Sequence, residues 1–387
     1  MRIGESVGDR YRVDRAIDGG GMALTFIAFD RIAGRDVVVK TPRTVSEGVN
    51  ANAERKLLGR FAHEGRNLAK VDHPNVPKLL DQGVHGTRPY LVMEYVDGIT
   101  LHDYLGRNCP RVTEVACLAV PVAQALVATH AKNVLHRDLT PSNLMITSQG
   151  WVYLIDFGIA LAIDGDPTRY TELNVGTEPY MAPERFQGKG DLPSSDLYGL
   201  GCVLHLMLTG TEPFRAVNGG PSLQQHHLYT VPTSLRQRVP GIPPEVDELV
   251  LGLLAKDHEK RLTSQDVIRV FTPYLPKEGD AAPDPAFEFD LTIPHRIRSA
   301  NDSNRSGRTG AKRDFGFSRR RRGTYLTREV VHERLGNAEE HLVSGEVEAA
   351  FAKLRNLYDD AVATYGRSHE VVAEVERVLE KARGPVA

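Results

Sequence analysis

The sequence predicts an α+β chain of two unequal lobes, a small β-rich one over 10–95 and a larger helical one over 96–272, followed by a linker and a short all-helical segment. Three observations carry this. Short alternating apolar runs fill the first lobe, apolar residues at helical spacing fill the second, and the composition turns to Pro, Gly, Ser, Asp and Arg over 276–322 before helical periodicity returns at 327–383.

The first lobe opens with glycines at 19–21, an alternating run through Phe26 and Phe29, and then Val37, Val38 and Val39, which together imply a small sheet. Leu57, Leu58, Phe61, Glu64 and Leu68 recur at helical spacing, so one helix interrupts the strands. Glu64 lies on its apolar stripe, and a carboxylate there needs a cationic partner. The second lobe is carried by TEVACLAVPVAQALVATHA and DLYGLGCVLHLMLTG, both helical in period.

The stretch 276–322 ends in Arg319, Arg320, Arg321 and Arg322 and reads as a flexible basic linker. These arginines have no interleaved aromatics, so a solvated charge run is expected and nucleic acid is not an expected partner. Beyond it, Val331, Leu335, Ala338 and Leu342, then Ala349, Ala350, Leu354 and Leu357, then Val371, Val375 and Leu379 outline two to three helices. The stretch LVSGEVEAAFAKLRNLYDDAVATYG resembles one tetratricopeptide hairpin, with Gly345 at the turn. One unit falls short of the three or so repeats a stable stack needs. No set of nucleophile, base and metal ligands converges there, so a protein partner is expected for these helices.

Bulk properties bound the function. With 387 residues and 41% hydrophobic content the chain has enough apolar material for one large or two to three ordinary domains. A formal net charge of −2 excludes a global field toward nucleic acid or an anionic membrane. Cys109, Cys117 and Cys202 form neither a disulfide framework nor a paired C-x-x-C motif, which fits a reducing cytosol and packing roles. No run is expected to reach the roughly 18 apolar residues of a membrane span, and MRIGESVGDR lacks the apolar core of a signal peptide. A cytoplasmic protein without membrane contact is expected.

The chemistry-bearing motifs are His136-Arg137-Asp138-Leu139-Thr140-Pro141-Ser142-Asn143, Asp156-Phe157-Gly158 and Val37-Val38-Val39-Lys40. A polar turn between strands would be the bland reading of the first pair. The order, the spacing and the flanking apolar strands LMI and VYLI argue against it. Lys40 or Glu64 alone would more often be an ordinary solvated charge, and the joint pattern reverses that.

Over residues 10–272 the chain thus resembles the protein kinases, and in particular bacterial-type serine/threonine kinases. The resemblance implies ATP with Mg²⁺ or Mn²⁺, and proteins bearing Ser or Thr as substrates. It makes Asp138 the group that orients or accepts the hydroxyl proton, Asn143 and Asp156 the metal ligands, and Lys40, paired with Glu64, the contact to the α/β-phosphates. It places His73-Pro74-Asn75 after that helix and Met93-Glu94-Tyr95-Val96 at the hinge, with Glu94 and Val96 facing adenine. Val38 and Met145 would line the adenine slot, and Ile17 and Thr25 would cover it.

The glycine-rich loop departs from the family pattern. Asp18-Gly19-Gly20-Gly21-Met22-Ala23 has Asp and Ala where G-x-G-x-x-G has its first and third glycines. Gly19, Gly20 and Gly21 still allow close backbone approach to phosphate, Ala23 adds one methyl group, and Asp18 would weaken nucleotide affinity unless it points outward. Thr140 stands where the family's serine/threonine members usually carry Lys, so one γ-phosphate cation is missing. Downstream, Gly176-Thr177 and Tyr180-Met181-Ala182-Pro183-Glu184 resemble the end of an activation segment, with Thr177 favouring serine/threonine substrates. The resemblance pairs Glu184 with Arg261 and makes Asp196 an anchor for the catalytic loop. An Asp opening the helix Leu197 to Leu208 would also serve as its cap. Thr168, Tyr170, Thr171 and Thr177 offer hydroxyls for regulatory phosphorylation, and Arg137 would bind a phosphate placed there.

Two rival readings share the fold. A pseudokinase scaffold would explain Asp18, Ala23 and Thr140, but every residue with a proton or metal role is present. A small-molecule phosphotransferase of the antibiotic-kinase type lacks the Asp-Phe-Gly and Ala-Pro-Glu segments found here.

Overall fold

The computed structural model describes residues 1–17, 23–42, 51–157, 178–216, 220–283, 289–297, 335, 354, 357–358 and 370–383. The chain divides into two compact units, Met1–Ser303 and Asn304–Ala387.

The small lobe is an antiparallel sheet of β1 (Ser6–Val7), β2 (Tyr11–Ile17), β3 (Ala23–Asp30), β4 (Arg35–Pro42), β5 (Leu79–His85) and β6 (Arg88–Glu94), ordered β1-β2-β3-β4-β6-β5. Helix α1 (Ala51–Leu68) interrupts it between β4 and β5. Successive side chains alternate between the faces of a strand, and register then decides what each face collects. On one face Val37 and Val39 join Val7, Tyr11, Val13, Phe26, Ala28, Tyr90 and Val92 in a closed apolar cluster. Val38 and Lys40 therefore point the other way. Lys40 lies opposite Thr25 and Leu91, Val38 opposite Ile27 and Met93, and Ile17 opposite Thr25. On that side Phe61 and Leu68 of α1 join Leu91 and Met93 in the larger core.

The helical lobe contains α2 (Leu101–Leu105), α3 (Val112–His130), α4 (Pro183–Phe186), α5 (Pro193–Thr209), α6 (Leu223–Tyr229), α7 (Leu235–Arg238), α8 (Pro244–Leu253), α9 (Ser264–Phe271) and α10 (Ile293–Arg296). A small sheet joins β7 (Ile99–Thr100), just before α2, to β8 (Leu144–Ile146) and β9 (Val152–Leu154), which follow α3. Gly98 lets β7 approach β8, since a Cβ there would fall 2.3 Å from the Ile146 carbonyl oxygen.

Three expectations need correction here. Helix α3 is 19 residues long and apolar enough, by length and composition, to cross a membrane, yet 67% of that stretch is buried inside the lobe. Its polar residues after Glu114 are uncharged, so the run is longer than a count of apolar residues suggests. Cys117 and Cys202 are buried packing residues, but Cys109 is exposed. Part of the stretch read as linker belongs to the lobe: Phe289 and Leu291 enter the main core, and Asp290 accepts from Thr292 N at 2.8 Å and from Arg296 Nη2 at 2.6 Å. Gly150, at φ +74°, makes room for it, since a Cβ there would meet the Asp290 carbonyl oxygen at 2.1 Å.

In the second unit α11 (Glu370–Arg383) buries Val372, Val375 and Leu379 at helical spacing, and Leu335, Leu354 and Leu357 are buried as well. Most of the hairpin read at 342–366, like Arg319–Arg322, lies outside the described residues.

Candidate active site

The loop His136-Arg137-Asp138 follows α3 and is fixed from below by one carboxylate. Asp196, in the first turn of α5 and 2% exposed, accepts from His136 N at 2.9 Å, Arg137 N at 2.8 Å and His130 Nε2 at 2.8 Å. Burial alone would raise its pKa, but the His130 hydrogen bond and the neighbouring histidines outweigh it and hold Asp196 below its ordinary 3.8. Asp196 does not cap its helix, because α5 begins at Pro193 with Leu192 as the capping residue.

His136 ties this loop to the strand that delivers Asp156. Its Nε2 lies 2.7 Å from the Ile155 carbonyl, which can only accept, so Nε2 carries a proton. Burial pushes the ring's pKa down and keeps it neutral. The ring also packs against Phe157, with centroids 4.9 Å apart. Ile155 N donates to Asn143 O at 3.0 Å, Leu154 N to Asn75 O at 2.8 Å, and Asn75 Nδ2 to Val152 O at 2.7 Å. These bonds leave few soft degrees of freedom between Asn143 and Asp156.

The reactive groups meet above this frame. Asn143 Nδ2 donates to Asp138 O at 2.7 Å and to Asp138 Oδ2 at 2.9 Å. Both amide hydrogens are thereby used, and Asn143 Oδ1 remains an acceptor. Asp138 Oδ1 is buried with no hydrogen-bond partner among the described residues. Asp156 sits at φ +58°, a left-handed conformation uncommon for a non-glycine residue, and forms an ion pair with Lys40. Lys40 is almost fully buried while Asp156 is 39% exposed, so the pair opens on the Asp156 side. Asn143 Oδ1 and the Asp156 carboxylate are hard oxygen donors of the kind Mg²⁺ prefers, so these residues fit the expected metal.

The remaining sequence candidates are distributed as follows. Ile17, Thr25, Val38 and Lys40 share the cleft-side face of the sheet by register. Glu94 ends β6, with its N–H donating to Lys78 O at 3.0 Å, and Val96 follows on the segment between the lobes. Met145 lies on β8 opposite Thr100, and Thr140 is buried just before the 3₁₀ turn Pro141–Asn143. Ala23 begins β3. Gly19, Gly20 and Gly21 lie outside the described residues, as do Thr168, Tyr170, Thr171 and Thr177. Glu64 lies in α1, but its side chain is also outside them, so the expected Lys40–Glu64 pair is not described.

Sequence reasoning missed the Lys40–Asp156 pair, because the two residues belong to motifs far apart in the chain. It also missed Arg185 and Asp191. Arg185 Nη1 donates to the Arg137 carbonyl at 2.5 Å, and Asp191 stands 3.0 Å from the Nε of both Arg137 and Arg185. Glu184 is paired with Arg261 at 2.7 and 3.0 Å and accepts from Ser195 Oγ at 2.6 Å. Burial would raise the Glu184 pKa, but Arg261 outweighs it and holds it below the ordinary 4.5.

A model of the protein kinase domain matches residues 11–272. Serine/threonine-protein kinase PrkC of Bacillus subtilis is 34% identical over 269 residues, 69% of this chain and 41% of that protein. Serine/threonine-protein kinase PknB of Mycobacterium leprae is 35% identical over 281 residues, 70% and 44% of the two chains. The chain therefore spans less than half the length of these two relatives. Serine/threonine-protein kinase PknA of Mycobacterium tuberculosis is 32% identical over 323 residues, 81% of this chain and 73% of that protein. Among solved structures, the apo form of PpkA-294 superposes with a TM-score of 0.58 at 23% identity, covering 70% of this chain and 99% of that one. With a two-lobed fold, an Asp138–Asn143–Asp156–Lys40 cluster between the lobes and a match across both lobes, the chain belongs to the protein kinase family.

Proposed function

We propose that the chain is a protein serine/threonine kinase that transfers the γ-phosphoryl group of ATP to Ser and Thr hydroxyls of proteins, its own activation segment included. The observation that carries this reading is Asp138: one carboxylate oxygen is bound by Asn143 and the other is buried without a hydrogen-bond partner among the described residues. A buried acceptor left unpaired among the described residues suits a group whose partner is the substrate.

When bound, Mg·ATP supplies the phosphoryl group and the charge neutralisation that the transfer needs. Asn143 and Asp156 would hold the metal, and Lys40 would hold the α/β-phosphates. Asp138 Oδ1 would orient the substrate hydroxyl and take its proton as that oxygen bonds the γ-phosphorus and the bond from the γ-phosphorus to the bridging oxygen breaks, releasing ADP. His136 and Asp196 keep the loop from relaxing as charge moves. Ile17, Gly19, Gly20, Gly21, Ala23, Thr25, Val38, Glu94, Val96 and Met145 form the nucleotide site in this reading.

The kinase domain is read as 10–272, the cytoplasm as its location, and the 327–383 helices as a tetratricopeptide-like module for a protein partner. A labelled-phosphate assay with a generic protein substrate and with aminoglycosides tests the main reading. Label should enter protein only, and Asp138→Asn should abolish it. ATP binding without any transfer by the wild type would support a pseudokinase instead.

A further inference from the structure

Arg185 and Asp191 belong to none of the roles assigned above, yet they bear directly on the peptide that carries Asp138. Arg137 sits at φ +67°, a conformation a non-glycine side chain keeps only where the surroundings over-determine it. Three groups do so. Asp196 Oδ1 accepts from its N–H at 2.8 Å, Arg185 Nη1 donates to its carbonyl at 2.5 Å, and Asp191 Oδ2 forms an ion pair with its guanidinium, 3.0 Å from Nε. The Arg137 carbonyl and the Asp138 N–H lie in one peptide plane, so a bond to the first orients the second.

Asp191 divides its carboxylate, giving Oδ2 to Arg137 and Oδ1 to Arg185, each at 3.0 Å. It comes from the connection between α4 and α5, which is closed by Lys189 N donating to Glu184 O at 3.0 Å. All three side chains are at most 18% exposed. Two guanidiniums this close and this buried repel each other unless an anion lies between them. Without Asp191, Arg185 would be driven off the Arg137 carbonyl, and the left-handed peptide before Asp138 would be free to relax.

We infer that Asp191 and Arg185 are positioning residues for Asp138, with Asp191 as a built-in anion at Arg137, so that transfer does not require a phosphate on the activation segment. This rests on the kinase reading. It also revises the expectation that Arg137 awaits a phosphate, since a carboxylate already stands beside it.

The test uses the full chain in which Thr168→Ala, Tyr170→Phe and Thr171→Ala remove those activation-segment acceptors, with kcat and the KM for ATP measured on a protein substrate. With Asp191 intact, kcat should stay within about threefold of wild type, whereas adding Asp191→Asn should lower it by up to about 10²-fold, the scale expected for a misplaced catalytic group. The KM for ATP should hardly move, and Asp191→Glu should restore most of the rate. A large loss of kcat in this triple variant with Asp191 intact would overturn the proposal, and this arm does not depend on how Asp191→Asn folds; mass spectrometry of the triple variant must show Thr177 unmodified. Full activity of the Asp191→Asn chain would also overturn it. Asp138→Asn in the same assay reports on the kinase reading separately, because it removes transfer in every background.

Discussion

Lys40 and Asp138 face the same cleft, but the lobes that hold them do so by different physics. Lys40 is aimed by strand alternation, with Asp156 meeting its ammonium: Val37 and Val39 are locked into an apolar cluster on one face, so the residues between and after them must face the cleft. Asp138 is aimed by buried polar bonds, through Asp196, His136, Asn143 and Arg185, with little apolar packing of its own. A sheet face tolerates substitution of a residue it merely points outward. A buried polar network does not, because removing one member leaves the others unpaired. Nucleotide grip and chemistry should therefore be separable by mutation, and damage to stability should concentrate in the helical lobe.

The largest effect expected on that lobe comes from truncation. A chain cut after residue 275 loses Phe289 and Leu291 from the core, which should cost about 3–6 kcal/mol relative to a cut after 303, at 1.5–3 kcal/mol for each large buried apolar side chain. Denaturant melts of the two fragments measure this, and equal midpoints would show that the docked segment contributes nothing.

Glu184→Ala comes next. It leaves Arg261 buried without its carboxylate and should cost about 3–5 kcal/mol in the same melts. The pH dependence follows from the same pair. The folded pKa of Glu184 is below 4.5 and that of Asp196 below 3.8, so the unfolded chain binds more protons in acid. Their contribution is complete above the ordinary values and is lost as pH falls through the folded ones. The wild type should thus lose stability below about pH 4.5, and Glu184→Ala should show a shallower loss there.

Asp138→Asn should leave stability nearly untouched and lower phosphate transfer by at least about 10²-fold, the usual scale for a missing general base. Thr140→Lys should act in the opposite direction and by less. It supplies a cation near the transferring phosphate and should raise the rate with ATP affinity unchanged, because the added charge acts on the developing transition state. An unchanged rate would mean that another cation already fills that role.

How much of this was legible in sequence follows the same division. The sheet and its cleft-facing Lys40 were readable because alternation is local, and the catalytic loop and Asp156 because their residues are contiguous. Asp196 stood out only through the family resemblance, and on sequence alone it passed for a helix cap. Arg185 and Asp191 were illegible, since nothing in the run 183–193 says that two charges there fold back onto Arg137. The docked residues 289–297 escaped for a related reason. Phe287, Phe289, Leu291 and Ile293 alternate with polar residues there, a local signal outweighed by the Pro, Gly and charged composition around it, and the room above Gly150 and the Asp290–Arg296 pair give Phe289 and Leu291 their place. Helix α3 misled in the other direction, as its uncharged polar residues hid how apolar the run is.

The central claim is that the sheet lobe grips nucleotide while the polar network of the helical lobe addresses the substrate hydroxyl. Equilibrium ATP affinity, measured with Mg²⁺ on Asp138→Asn and on Lys40→Met of the full chain, tests it most directly. The account predicts that Asp138→Asn binds ATP within a few-fold of wild type, and that Lys40→Met, which loses a phosphate contact and strands the Asp156 carboxylate, binds at least about tenfold more weakly, the effect of losing one charged hydrogen bond. Equal losses in the two variants, or a larger loss for Asp138→Asn, would contradict the division of labour between the lobes.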